Sequence, residues 1–285
     1  MKICRYDDDR VGLVRDGQVF DATAALGGLE PQGWPQPPGD QFIANLDRLK
    51  SRLEEEAGRS APKPLADVHL CSPVANPTKV IGAPVNYRAH HEESLDDDEI
   101  SFGREIKTID EYGLFLKANS ALAGQDDGVA LRFVDRRNDH EVELAMVIGK
   151  TCENADEANA LDHVAGYAIG LDMTVRGTED RSLRKSVDSY AVLGPWLVTP
   201  DDISDPDKLD FEITVNGEVR QKSNTDKLIF SCRKLIAYAT QFFTLHPGDV
   251  IMTGTPEGVG PVEPGDTMVA TVDEVGQMTV KVRAY

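Results

Sequence analysis

The chain has 285 residues, 40% of them hydrophobic, and a formal net charge of −19; these values fit an ordinary globular protein with a large core. The acidic balance argues against nucleic acid or an anionic membrane as a partner. No apolar run approaches membrane-spanning length and the first residues lack a signal-peptide core, so we expect a cytoplasmic protein. The four cysteines have no zinc-type spacing, and we expect them to be reduced and structural.

The N-terminal part of the chain predicts a small α+β domain. Short alternating runs in residues 1–30 predict strands. Residues 42–58 have the apolar spacing of a helix. Residues 61–70 have the composition of a linker. We therefore expect a small domain at residues 1–70 and a larger domain at residues 71–285.

The larger part is dense in predicted strands. Residues 88–112 are acidic and poor in periodicity, which is typical of a lid or binding loop. We expect a short helix at 154–164, a hairpin with an Asn-Gly turn at 211–221, and an amphipathic helix at 228–245. Strands outnumber helices and do not alternate regularly with them. This predicts a mainly β (α+β) fold rather than a doubly wound or TIM-type fold.

Three carboxylates stand at the ends of apolar strand-like segments. Glu141 and Glu143 are two residues apart, so a strand would place both on one face, and Asp172 ends the segment GYAIGLD. Buried charge without compensation is costly, and oxygen-only ligands suit Mg²⁺, Mn²⁺ or Ca²⁺. The alternative is a solvated strand face with Asp172 as a turn residue. The apolar flanks favour a metal centre.

A histidine and a glutamate stand three residues apart in the predicted lid. On one helical turn His90 and Glu93 would share a face. The carboxylate could then orient the imidazole as a general base for water. His91 would point elsewhere. The alternative is an acidic surface loop with two incidental histidines.

Two cations and a glycine-rich segment are candidates for contact with an anionic substrate. Lys185 could meet a substrate carboxylate or developing negative charge, and Arg176 is a second candidate; either could instead form an ordinary ion pair. The backbone at Gly254 and the hydroxyl of Thr255 could approach a ligand, or could belong to a tight loop. No nucleotide-binding or GxSxG motif is present, so we expect no nucleotide or organic cofactor and no serine-hydrolase chemistry.

Six segments in register resemble the fumarylacetoacetate hydrolase family. They are NYxxHxxE (86–93), ExE (141–143), GYAIGLDMTVR (166–176), KSVDSYAVLGPWLVT (185–199), VNGEVRQKSNT (215–225) and HPGDVIMTGTPEGVG (246–260). The resemblance runs from about residue 72 to the C-terminus. The residues before it resemble the variable N-terminal domain of longer bacterial members.

The resemblance implies a fold and a set of residue roles. It implies a catalytic domain built as a mixed β-sandwich roll, found in a homodimer. It implies Mg²⁺ or Mn²⁺ at Glu141, Glu143 and Asp172. The implied catalytic residues are His90, Glu93 and Lys185. The implied substrate contacts are Tyr87, Arg176, Gly254 and Thr255.

The resemblance also implies an activity. It is metal-dependent hydrolysis of the C–C bond of a 2,4-diketo acid, an acylpyruvate or a compound like fumarylacetoacetate, through an enolate. The same enolate would serve a decarboxylase, an isomerase or a hydratase acting on a 2-oxo acid in aromatic-compound catabolism. A non-catalytic metal-binding relative is a second alternative, against which the presence of His90, Glu93 and Lys185 argues. The expected partner is a small anionic 2-oxo or 2,4-dioxo acid.

Overall fold

The computed structural model describes residues 1–7, 9–103 and 105–285. The strands are β1 (Lys2–Tyr6), β2 (Arg10–Arg15), β3 (Gln18–Asp21), β4 (Pro62–Pro64), β5 (Leu70–Cys71), β6 (Val80–Gly82), β7 (Phe115–Lys117), β8 (Leu122–Ala123), β9 (Val129–Leu131), β10 (Asn138–His140), β11 (Val142–Ile148), β12 (Val164–Asp172), β13 (Thr174–Val175), β14 (Ala191–Val198), β15 (Asp210–Val215), β16 (Glu218–Asn224), β17 (Val250–Met252), β18 (Gly260–Pro261), β19 (Thr267–Val272) and β20 (Gly276–Ala284). The α-helices are α1 (Gln41–Ala44), α2 (Leu46–Arg59), α3 (Arg88–Asp96), α4 (Asp98–Ser101), α5 (Ile109–Tyr112), α6 (Arg181–Arg184) and α7 (Cys232–Ala239). The mainly β (α+β) class is confirmed.

One large mixed sheet runs through the molecule, with β11 and β12 near its centre. Its order is β4-β3-β2-β1-β14-β12-β11-β17-β6-β7, and β5 and β8 pair at β1 and β14. Strand β11 is buried along its whole length. Leu144 and Met146 face one apolar cluster, whereas Ala145 and Val147 face another. A strand covered on both faces shows a continuous apolar run, which explains why EVELAMVIGK lacks alternation.

The two faces of the large sheet are covered by different elements. A second sheet, in the order β16-β15-β19-β20-β9, packs on one face and shares a cluster with β11 and α7. Helix α2 covers the other face through Leu46, Leu49 and Leu53. A small sheet, β13-β10-β18, continues from the ends of the central strands. These layers form the mixed β-sandwich that the sequence resemblance implies.

The N-terminal residues contribute strands to the large sheet. Strand β1 pairs antiparallel with β14, with Ile3 opposite Leu197. The prediction of a linker at 61–70 is wrong, because β4 pairs with β3 and β5 pairs with β1. The prolines of β4 are tolerated because the strand lies at the sheet edge. The division at residue 70 stays a prediction.

The helix predictions are partly confirmed. The helix at 42–58 is present as α1 and α2, which meet at Asn45. The helix at 228–245 is shorter than predicted: α7 begins after Ser231, whose hydroxyl accepts from the Lys234 N–H at 3.3 Å, and ends at Ala239. The segment 154–164 contains only a 3₁₀ turn at Ala160–His163. In the described residues, no helix is long and apolar enough to cross a membrane.

The local predictions for the hairpin, the lid and the cysteines have different outcomes. The β15–β16 hairpin is confirmed, with positive φ at Asn216 and Gly217 as a type I′ turn requires. The lid segment, residues 88–112, contains helices α3, α4 and α5 where the sequence shows no periodicity. All four cysteines are buried, free thiols.

Candidate active site

The three predicted carboxylates converge at the ends of two paired strands. Glu141 directly precedes β11, Glu143 is the second residue of β11, and Asp172 is the last residue of β12. The Asp172 N–H donates to the Glu141 carbonyl at 2.9 Å, which keeps the strand ends together. One oxygen from each carboxylate lies within 4.8 Å of the others. The exposed fractions are 5%, 1% and 2%, so the cluster is buried.

The lysines near this cluster compensate two of its carboxylates. Lys185 Nζ donates to Glu141 Oε2 at 2.7 Å and to Asp172 Oδ2 at 2.8 Å. Lys117 Nζ donates to Asp172 as well. Burial opposes ionisation of Glu141, but Lys185 and Arg176 hold its pKa below the ordinary value. Glu141 is therefore held as a carboxylate.

Glu143 is the carboxylate of the cluster that forms no ion pair with a lysine or arginine among the described residues. Its Oε2 accepts the Gly254 N–H at 2.6 Å. Burial, with Asp172 and Glu141 close by, raises the pKa of Glu143 well above its ordinary value. A divalent cation between the three acids would supply the missing charge, and hard cations prefer such oxygen ligands. The residues therefore fit a bound Mg²⁺ or Mn²⁺.

Arg176 forms hydrogen bonds with two acids, one of which belongs to the carboxylate cluster. Its Nε donates to Asp139 Oδ2 at 2.6 Å and its Nη2 to Glu141 Oε1 at 3.2 Å. The Thr174 hydroxyl donates to the same Glu141 oxygen at 3.1 Å. Arg176 lines the site cavity, but its guanidinium already donates hydrogen bonds to two acids of the protein. Its predicted contact with substrate stays a proposal.

The predicted histidine–glutamate pair forms on α3 of the lid segment. His90 Nδ1 lies 3.1 Å from Glu93 Oε2. The other oxygen, Glu93 Oε1, accepts the Gly258 N–H at 2.8 Å and so joins the lid segment to the loop below it. Gly258 has φ +90°, and a Cβ there would lie 2.0 Å from the Arg220 carbonyl oxygen. His91 points away, with Nε2 2.8 Å from the Ile106 carbonyl oxygen.

One cavity joins these groups. Its volume is about 90 Å³, several times the roughly 10–15 Å³ that one water needs. The lid segment lines it with His90, Ser94, Ile100, Ser101, Ile106 and Tyr112, and the body of the protein lines it with the three carboxylates, Phe115, Arg176, Arg181, Arg184, Lys185 and Thr255. The cavity is the space in which a small acid could meet both the carboxylates and His90.

The residues expected to contact substrate differ in whether they line the cavity. Thr255 lines the cavity, although its hydroxyl already donates to the Val142 carbonyl at 2.9 Å and accepts from Gln221 Nε2 at 2.7 Å. Gly254 serves Glu143 through its N–H. Tyr87 lies in the core, because its β-bridge with Leu228 turns the ring toward Phe211, 6.1 Å away between centroids. Among the described residues, Tyr87 and Gly254 do not line the cavity, so their substrate contacts stay proposals.

The sequence analysis missed two cations of the site. Lys117 ends β7 and reaches Asp172 across 55 residues of sequence. Arg181 opens α6 and lines the cavity. A lysine that closes an apolar strand in so acidic a chain was a usable signal for Lys117. No local pattern marked Arg181.

Asn86 holds the start of the lid segment to the body of the protein. Its fully buried amide donates to the carbonyls of Phe230 and Thr253 at 2.9 and 2.8 Å, and its oxygen accepts the Phe230 N–H at 2.7 Å. Asn86→Ala would leave these backbone groups unpaired, so we expect the free energy of unfolding to fall by about 2–4 kcal/mol in urea titrations. Asn119 is a matched control, because its exposed amide also donates to two backbone carbonyls. Asn119→Ala should cost less than about 1 kcal/mol; equal losses would refute the role of Asn86.

Comparison with known proteins identifies the family. Residues 79–283 match the model of the fumarylacetoacetate (FAA) hydrolase C-terminal domain. The chain therefore belongs to the fumarylacetoacetate hydrolase family, as the sequence resemblance implies. It is a metal-dependent hydrolase that cleaves the C–C bond of a 2,4-diketo acid.

Several relatives match over their full length. A maleylpyruvate hydrolase of Aquipseudomonas alcaligenes is 54% identical, with 100% of both chains covered. A 2,4-didehydro-3-deoxy-L-rhamnonate hydrolase of Sphingomonas is 36% identical over 100% of this chain and 97% of the relative. The crystal structure of maleylpyruvate hydrolase from Sphingobium, in complex with manganese(II) and pyruvate, has a TM-score of 0.84 and 41% identity and covers 100% of this chain and 99% of its own. The similarity thus includes the N-terminal 70 residues.

Proposed function

We propose that the substrate is maleylpyruvate and that the reaction is its hydrolysis to maleate and pyruvate, with Mn²⁺ or Mg²⁺ as cofactor. The observation that carries the proposal is that the three carboxylates and His90, whose Nδ1 lies beside Glu93, line one cavity. The full-length similarity to maleylpyruvate hydrolases selects this substrate among the 2,4-diketo acids.

The cation and Lys185 have the same electrostatic task. When bound at Glu141, Glu143 and Asp172, a divalent cation supplies Lewis-acid stabilisation of negative charge on the 2-oxo acid end of the substrate. Lys185 Nζ, held between two of these carboxylates, adds a fixed positive charge on the same side of the cavity.

His90 is the base that we propose for water. An ionised carboxylate only accepts hydrogen bonds, so Glu93 fixes the proton of His90 on Nδ1 and leaves Nε2 as the acceptor. Nε2 takes a proton from water, and the water oxygen bonds to the C4 carbonyl carbon. The C3–C4 bond then breaks with its electron pair on C3. C3 takes the proton from Nε2 to give pyruvate, and the other fragment leaves as maleate.

The reaction is tested by product analysis with and without chelator. With Mn²⁺ or Mg²⁺ we expect one maleate for each pyruvate released from maleylpyruvate. EDTA should lower the rate at least about 10³-fold, because the developing charge loses its main stabilisation, and added Mn²⁺ should restore it. Oxaloacetate is the comparison substrate. Loss of CO₂ from oxaloacetate without cleavage of maleylpyruvate would refute the proposed substrate and favour a decarboxylase.

The homodimer and the cytoplasmic location also remain proposals. Phe133 and Leu183 are exposed apolar side chains that line one surface groove, which a second copy of the chain would cover. Sedimentation equilibrium should then give twice the chain mass of 31.2 kDa.

A further inference from the structure

The cations nearest the three carboxylates are already engaged by acids of the protein. Lys185 and Lys117 donate to Asp172, and Arg176 donates to Asp139 and Glu141. A substrate that bears a second carboxylate, far from its 2-oxo acid, needs a different positive group.

Arg181 is a cation of the same cavity with a different environment. Its guanidinium lies 4.4 Å from the ring centroid of Tyr112 and 5.8 Å from that of Phe115. Across residues 1–7, 9–103 and 105–285, no carboxylate forms an ion pair with it. Arg181 is partly buried. Burial lowers its pKa, while Tyr112, Glu141 and Asp172 act in the opposite direction. A partly buried guanidinium with no carboxylate in an ion pair is a favourable place for a ligand carboxylate.

The aromatic rings place Arg181 with respect to the reacting end of the site. Lys185 Nζ lies 5.4 Å from the centroid of the same Phe115 ring. Lys185, which contacts the carboxylate cluster, and Arg181 therefore both lie near the ring of Phe115. Tyr112 belongs to the lid segment, so that segment forms part of the environment of Arg181. The buried Ser94 hydroxyl, also on the lid, lines this cavity and has no partner among the described residues.

We propose that Arg181 binds a carboxylate at the acyl end of the substrate, so that the site selects acylpyruvates whose acyl chain is itself an acid. This inference rests on the proposed function and deepens it. The guanidinium lies over the Tyr112 ring, and its planar N–H groups can meet a carboxylate in two parallel hydrogen bonds.

Arg181→Met tests the inference with two substrates. Maleylpyruvate carries the second carboxylate, and acetylpyruvate lacks it but keeps the same 2,4-diketo acid. We expect kcat/KM for maleylpyruvate to fall about 30- to 100-fold, mainly through KM, and kcat/KM for acetylpyruvate to change less than about threefold. Arg181→Lys keeps the charge without the planar fork, so it should lose about 10-fold on maleylpyruvate alone.

A second measurement does not depend on turnover. With Mn²⁺ present, maleate should bind about 30- to 100-fold more weakly to Arg181→Met than to the unchanged protein in calorimetry, and pyruvate should bind equally to both. Arg15→Met is a matched control, because Arg15 also lies on an aromatic ring and pairs with Glu54 outside the cavity. It should change neither binding nor kcat/KM.

The outcomes separate this inference from the proposed function. If the unchanged enzyme prefers maleylpyruvate but Arg181→Met loses both substrates equally, or neither, the inference is overturned and the proposed function stands. If the unchanged enzyme cleaves acetylpyruvate and fails on maleylpyruvate, both are overturned.

Discussion

Replacing His90 with alanine should lower kcat for maleylpyruvate about 10³-fold and leave Mn²⁺ binding within about twofold. General-base catalysis by a positioned side chain contributes about 10²- to 10⁴-fold, and His90 lines the cavity with its Nδ1 held by Glu93. The three carboxylates that we propose as metal ligands take no hydrogen bond from His90, so the variant should keep the cation site. Steady-state kinetics at saturating Mn²⁺, with calorimetry of Mn²⁺ binding, make both measurements.

Two variants separate the base from its support. His91→Ala removes an equal side chain from the same helix, but His91 contacts the Ile106 carbonyl and does not line the cavity. We expect it to change kcat less than about fivefold. Glu93→Gln keeps an oxygen for the Gly258 N–H but loses the negative charge that orients His90, so we expect a loss of about 10- to 100-fold. If His90→Ala keeps kcat within about tenfold, another group activates the water.

The parts of the site that the sequence predicts are those with short spacing. Glu141 and Glu143 share a strand face because the pleat repeats every two residues, and His90 and Glu93 meet because they are three apart on a helix. Asp172 joins them through a neighbouring antiparallel strand, where Glu143 lies opposite Gly170. Each of these contacts follows from one element or one strand pair.

The parts that the sequence did not predict depend on elements brought together by the whole fold. Lys117 reaches Asp172 although β7 lies four strands from β12 in the order of the large sheet. Helix α6, which carries Arg181, packs against β7. Among the described residues, no carboxylate forms an ion pair with Arg181. A sequence does not show which cations have no such partner. The segment 61–70 reads as a linker because of its prolines, yet it forms edge strands through pairing with β3 and β1. Tertiary pairing outweighs local composition there.

Replacing Glu143 with glutamine should stabilise the metal-free protein but destabilise the protein that is saturated with Mn²⁺. The glutamine oxygen can still accept the Gly254 N–H, so the variant removes the charge and little else. Burial beside Asp172 and Glu141 raises the pKa of Glu143 in the folded protein well above its ordinary value of 4.5. Above that pH the folded metal-free protein therefore holds more protons than the unfolded chain, and its stability falls as pH rises toward the folded pKa.

The Glu143→Gln variant has no carboxyl group at this position, so its stability does not fall with pH for this reason. Metal-free variant should be more stable than metal-free unchanged protein, with a gap that widens by about 1.4 kcal/mol for each pH unit between the two pKa values. Saturating Mn²⁺ should reverse the order. If the three carboxylates are the ligands that we propose, the unchanged protein gains stability from binding the cation with all three, whereas the variant has lost one ligand. Urea unfolding from pH 5 to pH 8, with EDTA or with Mn²⁺, gives the four curves. The exposed Glu157 provides the control, since Glu157→Gln should shift none of them. If metal-free Glu143→Gln is less stable at every pH, Glu143 has a compensating partner in the folded protein and the cation is not what its charge requires.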